Sequence, residues 1–123
     1  MLRRLSMAAM LAPLLAVTLG SAEALADNFG AIAFSQDNGR VGYSYDYGSQ
    51  NGAEQRALAQ CGDQSCVVVV WFRNACGALA IGDGNGYGVG WAASRQDAEQ
   101  IALTNCFQYT NNCKNNTWSC TTR

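Results

Sequence analysis

The chain has no histidine at all, and its one proline and three methionines all lie within the first 26 residues. Without histidine no Ser-His-Asp or Cys-His nucleophile can be assembled. Imidazole general acid–base chemistry is excluded with it. Charge is also scarce. Beyond residue 26 six basic side chains face eight acidic ones, and the basic ones are scattered. No basic patch is present to meet nucleic acid or an anionic membrane. C-x-x-C is absent, which removes the usual redox pair and the usual zinc knuckle.

Cysteine is the excess. Six occur, Cys61, Cys66, Cys76, Cys106, Cys113 and Cys120. The first 26 residues carry Arg3 and Arg4, an apolar run from Met7 to Leu19, and the small-x-small ending Ala24-Leu25-Ala26. That is the pattern of a secretory signal peptide cleaved before Asp27. The apolar run is shorter than the ~20 residues a spanning helix needs, so no membrane span is expected after cleavage. Export to a periplasm or an extracellular medium, both oxidising, makes three disulfides the natural reading of six cysteines. No cofactor and no metal are expected.

The rest, residues 27–123, reads as one domain made of two similar halves, 29–75 and 76–120. "AEQRALAQC" (53–61) returns as "AEQIALTNC" (98–106). "FGAIAFS" answers "CGALAIG", and "VGYSY" answers "YGVGW". Ser49 answers Ser94, and Trp71 answers Trp118. The offset stays between 45 and 47 residues.

Each half predicts the order ββαβ. A short apolar strand (31–34, 78–81) precedes Asn38-Gly39 or Asn85-Gly86, which predict a type I′ hairpin turn. The next strand alternates with period two: Tyr43, Tyr45 and Tyr47 share one face, as do Tyr87 and Trp91. Ser49 and Ser94 are N-cap residues for the repeated segment. Ala53, Ala57, Leu58 and Cys61, and likewise Ala98, Ala102, Leu103 and Cys106, form one apolar stripe on a helix of about three turns. Gly62 suits a left-handed C-cap. "VVVVWF" (67–72) is expected as a central strand buried on both faces, and "NNTWSC" (115–120) as an edge. The fold class is α+β: two tandem ββαβ repeats, about six mainly antiparallel strands, and two helices packed on the sheet around one shared core.

The repeat also narrows the cysteine pairing. Cys61–Cys66 and Cys106–Cys113 each tie a helix end to the next strand, leaving Cys76 with Cys120.

Few side chains are left for chemistry, and none is assigned as catalytic. Glu54 and Glu99 recur in the two helices and are the one carboxylate pair to weigh. Asp83 and Asn85 in "GDGNGYG" are spaced like the start of a calcium loop, without its later ligands. The aromatic residues Tyr43, Tyr45, Tyr47, Tyr87 and Trp91 are the candidate binding surface, for a protein or glycan partner. A binding or effector-type protein is therefore expected rather than an enzyme. An inhibitor that inserts its Asn-Gly tips into a periplasmic or extracellular hydrolase is the alternative, and a carboxylate hydrolase a third reading.

"FGAIAFS", "GYSY", "AEQRALAQCG", the run from Cys66 through "VVVVWFRNACGALA", and the closing Trp118-x-Cys120 resemble the exported bacterial proteins grouped as domain of unknown function 4189. The resemblance covers nearly all of 29–120. It implies export and a small cysteine-rich domain, and supplies no catalytic residues.

Overall fold

The computed structural model describes residues 27–123, so the signal-peptide reading lies outside the described residues. Eight elements follow in order: β1 (Phe29–Phe34), β2 (Val41–Tyr47), α1 (Gln50–Cys61), β3 (Val67–Arg73), β4 (Cys76–Ile81), β5 (Tyr87–Ala92), α2 (Arg95–Cys106) and β6 (Lys114–Cys120). They form two three-stranded antiparallel sheets, β2-β1-β3 and β5-β4-β6. Each half is one ββαβ unit, and the fold is α+β.

Burial inverts one expectation. The valine-rich β3 is an edge strand, and Val67 is 56% exposed. The central strands are the alanine-rich β1 and β4, buried along almost their whole length. The cause is small side chains. Ala31 and Ala33 face α1, where they pack on Ala53, Ala57 and Cys61. Ala78 and Ala80 meet Ala98, Ala102 and Cys106 in the same way. Such surfaces let a helix lie close, and the neighbouring strands follow suit. A Cβ added at Gly42 would stand 2.1 Å from the Ala57 carbonyl oxygen, and one at Gly88 2.1 Å from the Cys106 nitrogen.

The alternate residues of β1 and β4 face the other way. Ile32, Phe34 and Leu79 join Val70 and Phe72 in a cluster between the sheets. The layers therefore run helix, sheet, sheet, helix. Three apolar clusters replace the one shared core expected. In the middle layer β1 packs on β4, β2 on β6, and β3 on β5. That is the pairing a two-fold exchange of the halves demands. Phe72 fills the centre: a Cβ at Gly30 or at Gly77, one from each sheet, would meet its ring at 2.4 Å.

Local signals are read as written for the helices. Ser49 Oγ accepts from the Gly52 N–H at 3.0 Å, and Ser94 Oγ from the Asp97 N–H at 3.2 Å. Gly62 closes α1 at φ 74°, while Phe107 ends α2 in right-handed backbone. The hairpin connections depart from type I′. Gly39 has positive φ, with Asn38 in ordinary backbone; Asn85 has positive φ, with Gly86 at −63°. The longer loops are closed otherwise, by the Ser35 N–H to Arg40 carbonyl bond and by a 3₁₀ turn over Asp83–Asn85. Three disulfides join Cys61–Cys66, Cys106–Cys113 and Cys76–Cys120.

Candidate binding surface

Tyr43, Tyr45, Tyr87 and Trp91 lie on the face that looks toward the opposite sheet. Tyr43 pairs in register with Ile32, and Trp91 with Gly77, both on that face. Tyr47 does not share the face of Tyr43 and Tyr45: the register shifts at Asp46, which has positive φ, and Tyr47 pairs with Phe29 on the α1 side. Yet β2 and β5 lie on opposite sides of the sandwich. Those four aromatics are thereby divided between two seams.

At the β2–β6 seam Tyr43 and Tyr45 are 41% and 49% exposed. They line a cleft of about 490 Å³ whose other wall is Asn116–Cys120. Polar bonds stitch this seam. Ser119 Oγ, buried, donates to the Ser44 carbonyl at 3.0 Å. The Thr122 N–H and Oγ1 donate to the Asp46 carboxylate at 2.9 and 2.8 Å. Tyr47 stands at the strand end, apart from the cleft.

At the β3–β5 seam Tyr87 is half-buried, edge-on to Phe34 with ring centroids 5.3 Å apart. It serves the core as much as the surface. Trp91 is 63% exposed and lies along Val69–Arg73, bounding a cleft of about 440 Å³. A second cleft of about 690 Å³ shares Val69 and runs past Val89, Asn105 and Tyr109. Val69, Tyr109 and Trp118 also line these clefts, beyond the aromatic residues expected to form the binding surface. The Trp71–Trp118 repeat was a usable signal for the last of these.

The carboxylates Glu54 and Glu99 are kept apart. They sit on α1 and α2, which cover opposite outer faces. Glu54 accepts from Gln50 Nε2 at 3.0 Å. Glu99 pairs with Arg95 at 3.3 Å, and the Arg95 guanidinium lies 4.1 Å over the Trp118 ring. These are helix-surface bonds, and they assemble no two-carboxylate site. Asp83 accepts from Asn112 Nδ2 at 2.8 Å. Among the described residues no three His, Cys, Asp or Glu side chains group to hold a metal. The hairpin tips clasp each other: Gln36 Nε2 donates to the Asn85 carbonyl and Asn85 Nδ2 to the Gln36 carbonyl. The Asp63 carboxyl is held below its ordinary range, chiefly by the Ser65 hydroxyl and then by its N–H.

A duplicated, disulfide-stapled α+β domain with exposed aromatic seams defines the class. The chain belongs to the family described as domain of unknown function (DUF4189), whose model matches residues 29–120. It is similar to Protein Rv1269c of Mycobacterium tuberculosis, 43% identical over 76 residues, covering 59% of this chain and 60% of that protein. It is 38% identical over 76 residues to the uncharacterized protein Rv1813c of the same organism, covering 62% of this chain and 51% of that protein. The matched region thus spans between half and three fifths of these relatives' lengths. The NMR structure of Rv1813c aligns at a TM-score of 0.59 with 31% identity, over 76% of this chain and 74% of that one.

Proposed function

We propose that the protein is an exported, non-enzymatic binding domain. Export is supported by the leader pattern of residues 1–26 and by three disulfides, which persist in oxidising compartments. No described helix is long and apolar enough to cross a membrane. Binding is supported by one observation above the rest. Tyr43 and Tyr45 stay exposed beside a polar wall of Asn116, Thr117 and Ser119 although the frame around them is well packed. Flat aromatic faces beside hydroxyls and amides suit a protein surface or a glycan.

Tyr43→Ala with Tyr45→Ala tests the reading. The oxidised protein and the variant are compared as baits against envelope and medium fractions and against a glycan array. The expected result is unchanged folding with loss of the captured partner. A variant that keeps every captured partner overturns it.

A further inference from the structure

The four sheet edges are finished differently. An open edge offers a row of unpaired N–H and C=O groups, and proteins ordinarily blunt it. On β2, Gln60 Oε1 accepts from the Tyr43 N–H at 2.6 Å. On β5, Asn105 Nδ2 donates to the Val89 carbonyl at 2.8 Å. These two side chains stand at matching places in the two helices. The β6 edge carries Lys114, Asn115, Asn116 and Thr117. β3 is the least protected, with Arg73 at its end and one register shift at Val69. From Val67 to Phe72 it holds no charge and no proline. Among the described residues no side chain hydrogen-bonds to its backbone.

What lies beside β3 is also unfinished. The two clefts that share Val69 are walled by Tyr87, Val89, Trp91 and Tyr109 and floored toward the opposite sheet. Their one charged residue is Arg73, at the C-terminal end of β3. Its pair with Asp27 spans 3.7 Å between exposed side chains, a geometry that is readily exchanged.

We propose that the outer edge of β3 takes an added strand. The occupant is an extended segment of a partner protein, antiparallel to β3. Its alternate apolar side chains seat between β3 and β5, and an acidic residue at its N-terminal end meets Arg73. An extended polypeptide is the ligand that pairs edge amides and carbonyls while presenting every second side chain to a cleft. A glycan matches neither feature. This site is separate from the Tyr43–Tyr45 cleft, so each reading can fail alone.

The probe is a display library of random peptides long enough for one strand, selected on the full-length oxidised protein. Selected peptides should alternate apolar residues and begin with Asp or Glu. Their synthetic forms should shift the amide resonances of Val67–Arg73 and Tyr87–Trp91. N-methylation of the amides that point at β3 should weaken binding about tenfold or more, while methylation of the intervening amides leaves it unchanged. Val69→Lys should weaken it similarly, and Tyr43→Ala should not. If Val69→Lys does not fold, the N-methyl series decides. Binding that ignores N-methylation, shifts centred on Tyr43 and Trp118, no enrichment, or a concentration-dependent dimer of the free protein through β3 would each overturn the proposal.

Discussion

Phe72 and Ser119 occupy the same place in the two halves, and they solve the same problem differently. Phe72 drives its ring between Gly30 and Gly77 and fills the space between the sheets. Ser119 fills little, and its hydroxyl donates to the backbone of β2. The strand ends differ as well. Where β1 pairs Phe29 with Arg73, β4 pairs Cys76 with Cys120 and bonds them covalently. Where β2 sends the Ser44 hydroxyl to the Ala53 carbonyl at 2.7 Å, β5 has Gly90 against the helix. Between the sheets the first half relies on bulk at Phe72 and the second on a polar bond at Ser119 and a covalent staple; against the helix the polar bond belongs to the first half. The comparison teaches that a duplicated frame keeps its helix–sheet packing and frees its seams to diverge. One seam is stitched, and the other is left open along β3.

Changes at these positions break or sharpen this contrast. Phe72→Ala should be the worst, costing about 4 kcal/mol because a cavity opens between both sheets. Ser119→Ala, at the matching position, should cost about 1 kcal/mol, the value of one hydrogen bond. Urea unfolding of the two variants measures the gap. Removing the Cys76–Cys120 staple with paired serines should cost about 3–4 kcal/mol, since it closes 44 residues of chain. Removing Cys61–Cys66, which closes only five, should cost about 2 kcal/mol.

Exchanging the residues of the third pair tests the contrast on the helix side. Gly90→Ser should cost about 1–3 kcal/mol, because its Cβ would stand 2.6 Å from the Ala98 carbonyl oxygen. Ser44→Gly should cost about 1 kcal/mol for the lost bond to α1. Thermal unfolding compares them. The smallest effect is electrostatic. The Asp63 carboxyl is held down mainly by the Ser65 hydroxyl, so its contribution is present above the ordinary carboxylate pKa and disappears as pH falls through the lowered value. Ser65→Ala should raise that pKa toward the ordinary range, read by an NMR titration of Asp63.

Much of the frame was legible in the sequence because its signals are local. Ser49, Ser94 and the Ala-Leu-Cys stripes define both helices, and the repeat pairs Cys61 with Cys66 and Cys106 with Cys113. Position within a sheet is not local. Val67–Val70 have the composition of a buried strand, but a central strand needs room on both faces, and here alanine and glycine supply it. The Asn-Gly pairs mark the turns correctly, but the mutual bonds of Gln36 and Asn85 shape the loops. Those bonds join residues 49 apart. The aromatic rows were visible as rows, except that the positive φ of Asp46 takes Tyr47 out of the first one. Their division between two seams was not, because it follows from how two sheets stack.

The central claim is that the halves form one cooperative unit locked across Phe72. Native-state hydrogen exchange tests it most directly, through the Ile32 amide of β1 and the Leu79 amide of β4 as urea is raised. Both should merge into one isotherm with the same opening free energy. Separate isotherms, with one half opening while the other stays protected, would contradict the claim.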